Sequence, residues 1–203
     1  MNIPEKWKQI PGPVKSFLLK SVILFIAWKI VYLTLLLPSR VLDQPLTAAV
    51  GISTGKTLNL ISHTKDYSAG SGVNWKEGEP GTKPVTEMAT IVYFQNERIL
   101  SVADVCNGLE LMVLYAGFII CLPSGVRRKM AFISGGLALI FLVNILRCSA
   151  LALIYRHYHE YTDLFHHYVF TLLIYGLIFW LWFLFSKRPG NVKKMNLHAI
   201  LSP

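Results

Sequence analysis

Three residue types that together can transfer an acyl group stand beside or inside apolar segments of the chain. Cys106 comes just before one apolar run, Arg147 lies inside the next, and His166 and His167 come just before the last. A thiol attacks as its thiolate, and a neighbouring imidazole or cation raises the thiolate fraction. Arginine keeps its charge and can hold the oxyanion of a tetrahedral intermediate. The three types predict acyl-transfer chemistry if the fold brings them together.

The apolar segments decide the class of protein. Of the 203 residues, 53% are hydrophobic and 15% are charged, and the mean hydropathy is +0.46. A hydrocarbon core of about 30 Å takes roughly 20 apolar residues to cross as a helix. We therefore expect an all-α integral membrane protein that forms a single membrane domain over residues 1–203. About four transmembrane helices are predicted, at approximately 16–38, 105–123, 130–155 and 166–186.

Basic residues beside the apolar segments predict how the helices are oriented. They stand before the first helix, between the second and third, and after the fourth: Lys6, Lys8, Lys15, Arg127, Arg128, Lys129, Lys187, Arg188, Lys193 and Lys194. By the positive-inside rule these regions, and with them both termini, are cytoplasmic, and the region of about 39–105 is external. The net charge of +9 follows the same distribution, so it indicates membrane lipid as the partner and not nucleic acid.

The external insert, residues 39–104, is the one part large enough for structure outside the membrane. Residues 40–61 have apolar positions at helical spacing, which predicts a helix along the membrane surface. Residues 62–84 are rich in Gly, Pro and charge, and we expect a mobile loop there. The runs 89–94 and 99–103, joined by "QNER", predict a β-hairpin that leads the chain to the cysteine.

One motif in this insert resembles a nucleotide site. "GISTGKT" (51–57) is similar to a phosphate-binding loop, but that loop has four residues between its glycines and this stretch has three. No predicted strand precedes it either. Nucleotide binding is therefore not expected.

Topology places the candidate residues at one depth. The 18 residues from Lys129 to Arg147 carry a helix about 27 Å, so Arg147 is expected near the external surface. Asn144, three residues earlier, shares its helix face. Cys106 is predicted to open the second helix at this level, and the two histidines to open the fourth. Gly108, two residues after the thiol, would let a substrate backbone approach closely.

Each candidate also has a purely structural explanation. Cys106 could be a small buried residue. Arg147 could extend its charged end to the interface, or pair with Glu110 one turn beyond the cysteine. The histidines could be interfacial like their tyrosine neighbours. The convergence of three residue types at one depth favours the catalytic interpretation, whereas Cys121 and Cys148 are interpreted as structural.

Two other functions compete with acyl transfer. Four histidines within eleven residues could build a metal or haem site, with Cys106 or Glu110 nearby: His157, His159, His166 and His167. Their H-x-H and HH pairs lack a recognised ligand spacing, so neither a metal nor another cofactor is expected. The chain could also be a non-catalytic assembly or transport subunit. Arg147 is its one charge firmly within a predicted helix, which is little for a transport path.

The order of three motifs resembles a known family. "CNG" (106–108) opening a membrane helix, "NILR" (144–147) inside the next and a histidine opening the last are similar to the exosortase/archaeosortase proteins, over residues 100–187. The resemblance implies an integral-membrane cysteine transpeptidase, here in a compact four-helix form.

The resemblance also implies roles, substrates and location. Cys106 would be the nucleophile, Arg147 the transition-state stabiliser and His166 the general base and acid, with His167 as the alternative. Asn144, Gly108 and Glu110 would support them. The substrates would be secreted proteins that end in a short motif, a transmembrane helix and a basic tail. The enzyme would lie in the bacterial cytoplasmic (inner) membrane as a multi-pass protein, its site facing the periplasm or exterior.

Overall fold

A computed structural model describes residues 12–76 and 85–187, and these form a mostly helical protein with one small antiparallel sheet. The helices are α1 (Gly12–Val31), α2 (Asp43–Ser62), α3 (Leu109–Cys121), α4 (Val126–His157) and α5 (Phe170–Lys187). The strands are β1 (Tyr67–Lys76), β2 (Val85–Phe94) and β3 (Glu97–Ala103). Short helical turns extend α1 through Tyr32–Leu36 and Leu37–Ser39, and precede α5 at His159–Tyr161, Thr162–Leu164 and Phe165–Val169.

Three helical segments are long and apolar enough to cross a membrane: Val14–Ser39, Val126–His157 and His159–Lys187. The protein is therefore a membrane protein. α3 is also apolar but has only 13 residues, about 20 Å of helix, which is less than the hydrocarbon core of about 30 Å. The fourth span and the orientation of the termini stay predictions. Basic residues used for that orientation at 1–11 and 188–203 lie outside the described residues.

The core of the membrane part lies where α3, α4 and α5 meet. Tyr115 and Ile119 on α3 are fully buried against Ile140 on α4 and Ile178 on α5. The hydroxyl of Tyr115 donates to the backbone carbonyl of Phe132 over 2.8 Å. This packing fixes α3 relative to α4, and so sets where the residues just before α3, Cys106 among them, meet the helix that carries Arg147.

The sheet is larger than the predicted hairpin. β2 and β3 form that hairpin, which is confirmed, with Gln95 and Asn96 at the turn in the left-handed region. β1 pairs with the whole of β2, from Tyr67 opposite Phe94 onwards. The all-α class and the mobile loop are therefore wrong for residues 67–76, while 77–84 lie outside the described residues. The strand was missed because the Gly and Ser residues in "YSAGSG" are typical of a loop. In the structure, Gly72 leaves room for a neighbouring side chain of β2.

α2 is confirmed as a helix, and two of its sides are covered by other elements, while its place along the membrane surface stays a prediction. It packs against the sheet and against α4, and Leu58 is fully buried between Val92 and Ala152. The stretch that resembles a phosphate loop is in the middle of this helix. A Cβ at Gly51 would overlap Thr90 of β2, so glycine at that position allows the sheet to approach closely.

The sheet and the basic link between α3 and α4 lie at opposite ends of α4. Ala152 packs with the sheet residues, whereas Arg128 lies in the first turn of the helix. Ala152 follows Arg128 by 24 positions, which correspond to about 36 Å of helix. A membrane crossed by α4 therefore separates the sheet from the basic link.

We predict that the sheet is external and the basic link cytoplasmic. In a variant lacking native cysteines, Glu97→Cys should react with a membrane-impermeant maleimide added to intact spheroplasts. Val126→Cys, which replaces a residue 76% exposed, should react only after the cells are opened. Labelling of Val126→Cys alone in intact cells would reverse the assigned orientation. Peptide mass spectrometry measures both sites.

Candidate active site

Cys106 closes a single 3-10 turn, Asp104–Cys106, that directly follows β3. It does not open α3, as the sequence predicted, because the helix begins three residues later at Leu109. Gly108 separates the two with φ of +86°, a left-handed conformation that glycine adopts without strain. The side-chain oxygen of Asn107 accepts the Leu109 N–H over 2.8 Å. The thiol therefore lies on a fixed turn between strand and helix.

Asn144, predicted as a supporting residue, touches the backbone of the cysteine. Its side-chain nitrogen donates to the carbonyl oxygen of Cys106 over 3.0 Å, and Asn144 is only 1% exposed. A Cβ at Gly108 would stand 3.4 Å from the same nitrogen. The structure thus gives Gly108 a conformational role beside Asn144. One hydrogen bond connects the turn that carries the thiol to the helix that carries the arginine.

Cys106 and Arg147 line one cavity of about 680 Å³ between α1, α3 and α5. Gly108 and Glu110 line it as well, near the end where α3 begins. Toward the other end of α3 the wall is apolar and comes from three helices: Leu24 and Phe25, Leu114 and Phe118, and Ile174 and Trp182. The cavity is a groove with a polar end at the cysteine and a mostly apolar remainder.

The guanidinium of Arg147 is not neutralised by a carboxylate within the described part of the chain. Its Nε atom is buried and has no hydrogen-bond partner there. Glu110, the partner considered from the sequence, instead forms an ion pair with Lys29 of α1 over 2.5 Å. The alternative explanation of Arg147, a structural ion pair with Glu110, is therefore wrong. A buried donor without a partner is costly, so a cation left in this state suits an anionic ligand or transition state.

The two candidate histidines lie apart from this groove. His166 and His167 are in the helical turn Phe165–Val169, seven residues inside the third candidate span, so the prediction that they open the helix is wrong. Neither histidine is among the residues that line the cavity. Their rings meet edge to face at 4.7 Å, and the half-buried ring of His166 is within electrostatic range of Arg147. The imidazole of His166 therefore has a charged neighbour in Arg147.

His157 and His159, the other two histidines of the metal site considered from the sequence, make separate contacts. The His157 Nδ1 atom lies 3.0 Å from the Leu153 carbonyl oxygen, and the ring of His159 lies tilted against the ring of Tyr155, with 4.7 Å between their centres. Across residues 12–76 and 85–187, no three His, Cys, Asp or Glu side chains are grouped as a metal site requires. The histidine-based site considered from the sequence has no such geometry here.

Sequence reasoning missed a polar network beside the cysteine. The Arg40 guanidinium holds Asp104 through two bonds of 2.8 and 2.9 Å, and this hydrogen bonding raises the pKa of Arg40. On the other side of the thiol, the side-chain nitrogen of Asn107 donates to fully buried Asp43 over 2.8 Å. Asp104 and Asn107 adjoin Cys106 in the sequence and could have been suspected. Asp43, about 60 residues away, carries no local signal.

Comparison with known proteins decides the family. The family model for transmembrane exosortases matches residues 16–184. This chain belongs to the transmembrane exosortase family. The exosortase match begins at the first membrane helix and includes α2 and the sheet, so it extends well beyond the segment 100–187 that carried the resemblance. No curated protein matches the chain. No solved structure matches it either.

Proposed function

We propose that this exosortase-family protein is a membrane-embedded cysteine transpeptidase that cleaves C-terminal sorting signals of secreted proteins. The observation that carries the proposal is the shared groove, which is lined both by Cys106 and by an arginine whose charge has no carboxylate partner in the described residues. Nucleophile and oxyanion stabiliser must face the same carbonyl group, the first at its carbon and the second at its oxygen. Membership of the family supports the same reaction.

The proposed reaction proceeds through a thioester. The Cys106 thiol loses its proton to a general base, the role that the family resemblance gives to His166, although this ring does not line the groove. The sulfur attacks the scissile carbonyl carbon, whose oxygen becomes an oxyanion beside Arg147. Collapse of this intermediate breaks the C–N bond, and the leaving amine takes the proton from the imidazole. The upstream part of the substrate remains bound as a thioester. An acceptor amine or water then attacks that carbonyl and restores the free thiol.

The shape of the groove supports a substrate whose scissile bond adjoins a membrane helix. Its wall follows α3 from Leu109 to Phe118 and α5 from Thr171 to Trp182, about 14 to 17 Å, or three helical turns. An apolar helix in this part would place the segment before it at the polar end, next to the cysteine. We propose that this end faces the exterior of a bacterial cytoplasmic membrane, where secreted substrates arrive.

A reconstitution experiment tests the function. The protein is placed in lipid nanodiscs with a secreted protein from the same genome that ends in a polar motif, an apolar helix and a basic tail. We expect the tail to be released with time by the wild type only. If such substrates stay intact with every candidate tested, while the protein copurifies with a larger membrane complex, a non-catalytic assembly subunit is the better account.

The histidines give a prediction with a built-in control. His166→Ala should lower the processing rate by a factor of about 10² to 10⁴, the usual contribution of a general base. His167→Ala should keep most of the rate, because the neighbouring ring at position 167 is exposed. Both are measured in nanodiscs at equal protein amounts. The reverse pattern would transfer the role to His167, and full activity of both variants would remove histidine from the mechanism.

A further inference from the structure

One face of α2 holds the residues on both sides of the cysteine. The Thr47 hydroxyl donates to Asp104 over 2.8 Å and accepts a bond from the Asn107 side chain over 3.2 Å. Asp43, one turn earlier on the same face, accepts a second bond from Asn107 over 2.8 Å. Asp104 lies two residues before Cys106, and Asn107 lies one residue after it. The catalytic turn is therefore bound before and after the thiol by a single helical turn.

The buried position of Asp43 costs the folded protein free energy. It is fully buried, and no ion pair within the described residues includes it. Its carboxylate accepts hydrogen bonds from Tyr32, over 3.0 Å, and from Asn107. Burying a carboxylate without a direct ion pair costs free energy even when it is hydrogen-bonded, although the charge of Arg40 acts on Asp43 from a greater distance. An apolar residue would stabilise the protein more cheaply, so stability alone does not account for it.

The Asp43 carboxylate and its donor Tyr32 also face the groove. Asp43 and Tyr32 line the same cavity as Cys106. They connect the end of the first membrane segment and the start of α2 to the turn that carries the thiol. Thr47, 2% exposed, lies behind that turn and joins its two halves. The network reaches the reaction site but contacts the thiol only through its neighbours in the chain.

We infer that Asp43 and Thr47 are positioning residues that hold Cys106 in its attacking orientation. The inference rests on the proposed function, because it assigns these residues to the reaction of the thiol. Hydrogen bonds on both sides of a nucleophile restrict its turn, and a misplacement of about 1 Å can cost a factor of 10² in rate. The effect belongs to the chemical step and not to substrate binding, which the rest of the groove provides.

The test compares two threonines on α2. Thr47→Val removes the hydroxyl that joins Asp104 and Asn107, and Thr47→Ser keeps it. Thr54→Val is the matched control, because Thr54 is fully buried on the same helix and its hydroxyl donates to the carbonyl of Val50 in that helix. Asp43→Asn keeps the shape but removes the charge. Protein level and melting temperature are measured for all four variants.

We expect Thr47→Val and Asp43→Asn to lower kcat by about 10- to 100-fold with KM changed less than about twofold. Thr47→Ser should restore most of the rate, and Thr54→Val should process as the wild type does. If Thr47→Val keeps the wild-type kcat, or if Thr54→Val loses as much, the inference is wrong.

A second readout does not depend on the proposed function. The alkylation rate of Cys106 by a neutral reagent, followed by peptide mass spectrometry, should rise at least about threefold in Thr47→Val and not in Thr54→Val, because the turn loses a hydrogen bond. Equal alkylation rates would overturn the positioning role even in an active enzyme. If Cys106 is alkylated faster in Thr47→Val but the wild-type protein has no peptidase activity, the positioning role of Thr47 stands and the proposed peptidase function is wrong.

Discussion

Replacement of Cys106 by alanine is expected to abolish processing of the substrate, by at least about 10⁴-fold, while the protein stays folded in the membrane. The side chain is half-buried at the polar end of the groove, and the turn that holds it is bonded through its backbone and its neighbours. Loss of the sulfur should therefore leave the fold intact. Cys106→Ser should be almost as inactive, because a hydroxyl without a strong base ionises far less readily than a thiol.

The other two cysteines are the controls for this result. Cys121→Ala should process normally, since Cys121 ends α3 far from the site. Cys148→Ala should also remain active, although this buried thiol packs in the cluster that Cys106 borders. Tail release in nanodiscs gives the rates, and size-exclusion profiles report folding. Normal processing by Cys106→Ala would end the peptidase interpretation.

Removal of the Arg147 guanidinium should produce the second large effect. If this group holds the oxyanion, its contact matters mainly in the transition state, and Arg147→Ala should lose a factor of about 10² to 10³ in kcat. Arg147→Lys keeps the charge but loses the planar set of donors and some reach, so it should be nearly as poor. Since Glu110 pairs with Lys29 and not with Arg147, neither variant should lower the amount of folded protein.

Turnover and protein level must be measured together for these two variants. The matched control is Lys29→Ala, which breaks the observed Lys29–Glu110 ion pair and leaves Arg147 in place. An exposed pair contributes little stability, so this control should also be folded. Near-full activity of Arg147→Lys would remove the arginine from the mechanism. A fall in protein level that matches the fall in rate would assign it a structural role.

The membrane helices could be predicted from the length of their apolar segments, whereas the part that contains α2 and the sheet could be predicted only in part. α1, α4 and α5 are long apolar helices, and the β2–β3 hairpin shows clear alternation around a polar turn. β1 could not be predicted, because glycine and serine at alternate positions resemble a loop until a partner strand is known. α2 showed a helical pattern, but its burial depends on tertiary contacts with the sheet and α4 that no local pattern contains.

Counting helical residues to estimate depth in the membrane predicted part of the site. Counting residues along α4 put Arg147 at the level of Cys106, and both do line one groove. The same counting failed for the histidines, because the last span begins at His159 in a series of irregular turns and not at His166. Asp43 and Thr47 were not predictable, since their approach to the cysteine depends on how α2 docks and not on any spacing in the sequence.

The central claim is that Cys106 carries the upstream part of the substrate as a thioester. The direct measurement is intact mass spectrometry of the nanodisc-bound protein, mixed with substrate and quenched in acid before an acceptor amine is added. The account predicts a mass increase equal to the upstream fragment, mapped to the peptide that contains Cys106 and removed by hydroxylamine. Release of the tail with no adduct, or with the adduct on another residue, would contradict it.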